Sequence, residues 1–147
     1  MQPPRRYSPR LEEAPLDDTE LRCQRWLWPV PGTQAHAGLI AFAGRYREGS
    51  EGKMDALFIR WRIEELCDRN LFPAIEGLVV DLRDMEYAWG DDLGVEPRCR
   101  DLGGRVRVVV RPEQVEALKF PIGEALLRTD PEGAFGEMVD LVRAISR

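Results

Sequence analysis

The side chains that could perform chemistry are few and widely spaced in this chain. It has one histidine, His36, and three cysteines, Cys23, Cys67 and Cys99. A nucleophilic dyad or triad would have to use that histidine, and nothing in the sequence places a serine or cysteine beside it. No CxxC or HExxH spacing occurs, so we expect no catalytic centre and no metal site. His36 is expected to lie partly exposed at the end of a strand.

One turn combines an aromatic residue with adjacent carboxylates. It follows an apolar run in the stretch 77–95, GLVVDLRDMEYAWGDDLGV. Neighbouring carboxylates in a turn are usually both solvated, so Asp91 and Asp92 are not expected to form an acid–base pair. The glycines nearby do not make a phosphate-binding GxGxxG, and we expect no cofactor. The predicted partner-binding surface is this turn, formed by Trp89, Gly90, Asp91, Asp92, Leu93 and Gly94.

Length and charge restrict the kinds of partner. The chain has 147 residues, which is the size of one domain, and its formal net charge of −5 gives no general attraction to nucleic acid or acidic membranes. Clustered prolines and charges at residues 1–18 predict a flexible N-terminal tail, and residues 19–147 form the predicted domain. The arginine cluster at 98–111 lacks the interleaved aromatics of nucleic-acid sites, and a solvated sheet edge explains it.

The cellular compartment is predicted from the cysteines and the apolar runs. The three cysteines are odd in number and far apart, which favours reduced thiols in the cytoplasm. No apolar run is long enough to span a bilayer, and the N-terminus lacks the apolar core of a secretory signal. We therefore expect a cytoplasmic protein without membrane contact.

The elements that must position the turn follow from the apolar patterning. Two strands are predicted at 21–30 and 36–46; Pro29 favours an edge position for the first, with Trp26 and Trp28 on one side of it. A helix at 53–70 precedes a buried strand at 78–82, and a valine-rich strand follows at 105–111. A short helix after Pro112, a strand in EALLRT and a helix capped by Asp130 complete the order. Alternation of this kind predicts parallel strands with crossover helices.

The helix predicted at 53–70 has apolar residues on two sides. One stripe contains Ala56, Ile59, Ile63, Leu66 and Cys67, and it is expected to face the sheet. The other contains Met54, Leu57, Phe58 and Trp61. The second stripe is either covered by the Trp26/Trp28 segment, which we favour, or available to a partner.

This order of elements, together with LVVDLRDMEYAWGDDLGV, GGRVRVVVRPEQVEAL and LLRTDPEGAFGEMVDLV, resembles the STAS family of sulphate transporter and anti-sigma factor antagonist domains. The resemblance covers about Leu21 to Ile145. It implies a single α/β domain with a mixed, mostly parallel sheet of four to five strands and about four helices. It also implies a non-catalytic regulatory role through protein–protein contact.

The chain departs from the family pattern at the turn. In regulatory members a kinase phosphorylates a serine before Gly-Leu, and the position that matches it here is Asp91, which has no hydroxyl. A carboxylate at a helix start can mimic part of a phosphate's charge, or it can simply cap the helix, and both interpretations stay open for Asp91 and Asp92. Pro97 would break a helix that began at Asp92, which favours a later start near Glu96.

Three functional hypotheses follow. The first is an antagonist-like regulator that binds a kinase-like protein without being phosphorylated. The second is an immunity or inhibitor protein that neutralises a toxin by binding it. The third is a degenerate crotonase-like enzyme, because EYAWGDDL is similar to the oxyanion-hole segment of that family; the second glycine-rich amide donor is missing after the next strand. A homodimer is left open as a further contact.

Overall fold

The structure, a computed structural model, describes residues 11–12, 19–47, 49–87 and 102–146, and they form one α/β arrangement. The strands are β1 (Leu11–Glu12), β2 (Arg22–Pro29), β3 (His36–Tyr46), β4 (Ile75–Tyr87), β5 (Val106–Val109) and β6 (Leu127–Arg128). The helices are α1 (Ser50–Leu66), α2 (Val115–Ile122) and α3 (Pro131–Ile145), with short 3-10 turns at Pro112–Gln114 and Glu124–Leu126.

The strands form one mixed sheet in the order β1-β2-β3-β4-β5-β6. β1 and β2 are antiparallel to their neighbours, whereas β3, β4, β5 and β6 are parallel. The predicted α/β class and mostly parallel sheet are therefore confirmed. The strand count agrees with the predicted four to five, apart from the two-residue strand β1 at one edge. Because β1 pairs with β2, the edge position predicted for β2 is wrong at Gln24 and Arg25.

Helices α1 and α2 cover one face of the sheet. Buried side chains of α1 pack there against alternating residues of β3, β4 and β5, as period-two strands require. The predicted face of Val106, Val108 and Val110 belongs to this cluster. Its other members from α1 and β4 are Phe58, Ile59, Ile63, Leu66, Ile75, Leu78, Val80, Leu82 and Met85.

Helix α3 covers the other face. The Trp28 and Phe135 rings meet edge-on with centroids 4.9 Å apart, and Val79 and Val109 complete this second core. Trp26 also packs against it. The prediction that the Trp26/Trp28 segment covers α1 is therefore wrong, because side chains alternate along β2. Cys23 and Leu27 face α1, and the tryptophans face α3.

The second apolar stripe of α1 divides between core and surface. Phe58 is buried, Met54 and Leu57 are half-buried, and Trp61 is 44% exposed. The helix also ends at Leu66, before the predicted Asn70, because the chain turns there: the Asp68 carboxylate accepts a hydrogen bond from the Asn70 backbone N–H at 2.8 Å. Met54, Leu57 and Trp61 thus form an apolar strip at the surface of α1.

The last helix follows its predicted pattern up to its final turn. Asp130 caps it by accepting a hydrogen bond from the Glu132 backbone N–H at 3.2 Å, and Pro131 is its first residue. The predicted core residues Phe135, Met138, Val139 and Val142 are buried. Ile145 is 47% exposed, so its predicted place in the core is wrong: it lines an open surface pocket beside the turn between β2 and β3.

An ion-pair cluster ties α3 to the edge of the sheet. Glu137 accepts hydrogen bonds from Arg107 Nε at 2.8 Å and from Arg128 Nε and Nη2 at 3.0 and 3.1 Å. These bonds, chiefly that from Arg128, hold the pKa of the Glu137 carboxyl below its ordinary value. Arg105 lies 3.7 Å from Glu76. Of the described members of the predicted arginine cluster, Arg105 and Arg107 therefore form ion pairs on the sheet, and Arg111 Nε lies 3.5 Å from Glu113 in the turn after β5.

Some predictions fall on residues outside the described ranges. Of segment 1–18, only Leu11 and Glu12 are described, so its predicted flexibility stays a prediction. The fourth predicted helix, whose start was assigned near Glu96 and Pro97, also lies outside the described residues.

Gly77 on β4 tests how closely α3 packs. A Cβ at this position would meet Met138 Sδ and lie 3.1 Å from Val142 Cγ2. We expect Gly77→Ala to lower the free energy of unfolding by about 1–3 kcal/mol through overpacking, measured by urea denaturation. Gly136→Ala is the matched control, because no atom lies within 4 Å of its Cβ position and alanine favours a helix. Unchanged stability of Gly77→Ala would contradict the close packing.

The Glu137 cluster predicts a pH-dependent stability. A carboxyl whose folded pKa is lowered stabilises the fold above its ordinary value of 4.5, and this contribution is lost as the pH falls through the folded value. Glu137→Gln should therefore lower the free energy of unfolding most above about pH 5, with the difference shrinking below it. Asp140→Asn, an exposed acid on the same helix, is the control. A deficit that stays constant from acid to neutral pH would refute this.

Candidate functional site

The end of β4 projects beyond the strand beside it. β4 pairs with β5 only from Leu78 to Asp81, whereas it pairs with β3 as far as Tyr87. The segment 82–87 therefore continues at the carboxyl edge of the parallel strands with β3 on one side only. In open α/β sheets this edge is the usual location of binding surfaces. We refer to residues 82–87 as the β4 extension.

Gln114 takes the place of the missing strand beside the β4 extension. It is 5% exposed, and its carboxamide nitrogen donates hydrogen bonds to the carbonyls of Leu82 at 3.0 Å and Met85 at 2.8 Å. Its carboxamide oxygen accepts from the Arg111 backbone N–H at 2.6 Å. Both amide hydrogens and the oxygen are thus used, which fixes the backbone of the extension against the turn at Pro112–Gln114.

A β-bulge changes the direction of side chains along the extension. Ala41 of β3 pairs with Asp81, and Ala43 pairs with Asp84, so β4 has one additional residue between these pairs. Met85 consequently returns to the α1 core. Asp84 and Glu86 are exposed. The bulge therefore provides two solvated carboxylates on a strand that remains anchored in the core.

Asp81 and Arg83 stiffen the start of the extension. The guanidinium of Arg83 donates to both carboxylate oxygens of Asp81, with Nε–Oδ1 at 3.0 Å and Nη2–Oδ2 at 2.8 Å. The Arg83 backbone N–H also donates to Oδ1 at 3.0 Å. Two parallel hydrogen bonds of this kind hold both side chains in one geometry.

A pair of tyrosines closes the ends of β3 and β4. Tyr46 and Tyr87 are register partners, and their rings are tilted by 59° with centroids 5.2 Å apart. Tyr46 is buried. Aromatic pairs at this separation add stability beyond the area that they bury, so the last residue of β4 is held in place.

A buried carboxylate fixes the start of α1 at the same edge. Asp55 is fully buried and accepts hydrogen bonds from Thr19 Oγ1 at 2.6 Å and from the Arg47 backbone N–H at 2.7 Å. The Arg47 guanidinium adds contacts at 3.0 and 3.2 Å. Gly52 is required here, because a Cβ would collide with the Arg47 carbonyl oxygen. The first turn of α1 therefore lies directly against the chain that leaves β3.

The predicted turn itself lies outside the described residues. Trp89, Gly90, Asp91, Asp92, Leu93 and Gly94 come after the β4 extension, which is described to its end at Tyr87. The structure thus gives the position from which the chain enters the turn. The assignment of the turn as a binding surface stays a prediction.

Of the side chains considered for catalysis, His36 and Cys23 lie far apart. His36 begins β3 and pairs with Pro29, whereas Cys23 pairs with Phe42, so about 20 Å of strand separates them. Burial raises the pKa of the Cys23 thiol to about 12, which keeps it protonated at neutral pH. Over the described ranges, no group of three or more histidine, cysteine, aspartate or glutamate residues could hold a metal ion. Within the same ranges, no helix has the length and apolar character to cross a membrane.

Comparisons of the chain with protein-family models, with curated proteins and with solved structures found no match. The resemblance to the STAS family therefore remains a prediction from the residues.

Sequence patterns gave little indication of the polar anchors of this edge. Asp55 had a detectable signal, because it lies on the buried side of α1, one turn before Ile59. Gln114 had no such signal, because a glutamine after a proline turn is usually solvated. Its donors are needed only because β5 ends before β4 does. The β4 extension was missed because Arg83, Asp84 and Glu86 interrupt the apolar run.

Removing the Gln114 carboxamide should loosen the β4 extension. We expect Gln114→Ala to lower the free energy of unfolding by about 2–4 kcal/mol, because two buried carbonyls lose a donor. Gln34→Ala, the same change at an exposed position, should have an effect below about 0.5 kcal/mol. Chemical denaturation of the two variants beside wild type measures both. Equal effects of the two changes would show that Gln114 does not anchor the strand.

Proposed function

We propose that this chain is a non-catalytic protein-binding module, a regulator of the anti-sigma factor antagonist type, that meets its partner through the turn Trp89–Gly94. The observation that carries the proposal is the fixation of the β4 extension. Its backbone is bound by β3 on one side and by Gln114 on the other, and the tilted ring of Tyr87 packs against Tyr46. A surface presented from a rigid strand end loses little conformational entropy on binding.

The acids at and after the strand end are the basis for proposing a basic partner, and the exposed Arg45 beside Glu86 makes the described strand end itself mixed in charge. Asp84 and Glu86 are exposed on the β4 extension, and Asp91 and Asp92 follow in the sequence. Acidic groups at the rim of a contact surface increase the association rate with a positively charged partner and reject acidic ones. Trp89 is the apolar anchor in this proposal, since tryptophan is enriched among residues that dominate binding energy.

Asp91 determines that the proposed regulator cannot be phosphorylated at this position. It stands at the position that matches the family's phosphoacceptor serine, and a carboxylate carries one negative charge where a phosphate carries nearly two. In this proposal the partner meets a surface whose charge is constant. Phosphate transfer to any residue of 88–95 by a kinase partner with ATP would contradict it.

An immunity or inhibitor role is the second candidate, and the exposed acids of the β4 extension favour it as well. A toxin's cleft for nucleic acid is basic, and a row of carboxylates can block it. The two roles differ in kinetics: a regulator dissociates and responds to nucleotide, whereas an inhibitor of a lethal enzyme dissociates extremely slowly. The dissociation rate of the purified complex, with and without ATP, distinguishes them.

The binding surface is tested by matched double variants. The wild-type chain serves as bait for partner identification by quantitative mass spectrometry, and the recovered partner is then titrated. We expect Trp89→Ala/Asp91→Ala to weaken affinity by at least about tenfold, because the variant removes the apolar anchor and one charge.

The control variant changes an exposed apolar residue and an exposed acid elsewhere. Leu71 is 59% exposed and the Glu116 side chain is 86% exposed, so Leu71→Ala/Glu116→Ala should leave affinity within about twofold. If Trp89→Ala/Asp91→Ala also stays within about twofold, the contact surface lies elsewhere.

A further inference from the structure

The outward side of α1 carries an apolar strip with charges of opposite sign near its two ends. At about 100° per residue, Lys53, Met54, Leu57, Trp61 and Glu64 fall within about a 100° sector opposite the buried side. Trp61 is 44% exposed, and Met54 and Leu57 are half-buried. This α1 face, defined by these five residues, contains the one large aromatic side chain that is exposed within the described ranges.

The charges of the α1 face are ordered along the helix. Lys53 lies in the first turn and Glu64 in the last, about 16 Å apart along the axis, and both are exposed. Within α1, Glu64 forms an ion pair with Arg60, which lies one turn before it, at an Nε–Oε1 distance of 3.9 Å. An acid in the last turn is unfavourable to the helix dipole, and an exposed pair in which the base precedes the acid offsets only part of this cost.

We propose that a second copy of this chain docks on the α1 face, with the two α1 helices antiparallel about a two-fold axis. Rotation about an axis midway between Lys53 and Glu64 places each Lys53 beside Glu64 of the second copy. The same rotation brings Trp61 of each copy over the half-buried strip of the other. The surface is complementary to itself, as a two-fold contact requires.

The order of the charges favours a second copy of the chain over other possible partners for this face. One face supplies both members of each ion pair, and antiparallel helices also align their dipoles favourably. A single pair of helices buries an area at the low end of the range for specific interfaces. We therefore expect a dissociation constant for the dimer in the micromolar range or above. The proposal does not depend on the function of the turn Trp89–Gly94.

Sedimentation velocity of the full chain over a concentration series tests the dimer. We expect reversible dimerisation of wild type, weakened by at least about tenfold in Trp61→Ala. Leu71→Ala is the matched control: it removes another exposed apolar side chain, 59% exposed and outside α1, and should leave the dissociation constant within about twofold. Circular dichroism melting checks that each variant is folded.

Charge exchange identifies the geometry. Lys53→Glu and Glu64→Lys should each weaken the dimer by about fivefold or more, because each creates two like-charged contacts across the axis. The double variant Lys53→Glu/Glu64→Lys exchanges the signs and should return the dissociation constant to within about threefold of wild type. An equimolar mixture of the two single variants should instead dimerise nearly as well as wild type, because the mixed pair has opposite charges at both ends.

Two results would overturn the proposal. A wild-type chain that stays monomeric up to about 1 mM would leave the α1 face to a different occupant. A dimer that persists in Trp61→Ala, or one that the double charge exchange does not restore, would place the contact on another surface.

Discussion

Helices α1 and α3 both press against the ladder of β3 and β4, each at a glycine. A Cβ on Gly38 would lie 2.9 Å from Leu66 Cδ2 on the α1 side, and one on Gly77 would collide with Met138 on the α3 side. Ala37 pairs with Gly77, so the two glycines are neighbours in the ladder and open opposite faces. Close approach of a helix to each face buries the longest parallel pair of the sheet, and the other strands add to this layer.

Because this ladder is long, backbone groups near its end have no neighbouring strand, and side chains form the missing hydrogen bonds. β5 ends before β4 does, so the buried carbonyls of the β4 extension have no neighbouring strand. An unpaired buried carbonyl is costly, and Gln114 supplies the donors from the turn that follows β5. Asp55 does the corresponding work at the end of β3, where it accepts from the Arg47 backbone. The buried side chains of Gln114 and Asp55 thus allow β4 and β3 to extend beyond a neighbouring strand.

Much of the fold was predictable because its signals are local. Alternation gave the valine face of β5 and the tryptophan side of β2, and the Asp130–Pro131 pair gave the start of α3. Such patterns depend on one element and its period. They do not specify which face of the sheet a helix covers, and this is why Trp26 and Trp28 were assigned to α1 and not to α3.

The candidate site was less accessible to sequence patterns. Its frame depends on a bulge at Asp84, on the point where β5 ends and on the reach of Gln114, none of which is local. Polar residues of the β4 extension alternate with Leu82, Met85 and Tyr87, but the additional residue breaks the period. From sequence patterns alone, a strand that contains a bulge is therefore predicted as a shorter strand followed by a loop.

The join between the strand ends and α1 has a mechanical consequence. Asp55 belongs to α1 and binds the backbone of Arg47, which directly follows the Tyr46–Tyr87 pair. The carboxyl edge and the first turn of α1 therefore belong to one rigid unit. The two proposed contacts would therefore lie on the same frame, one beyond the strand end and one on α1.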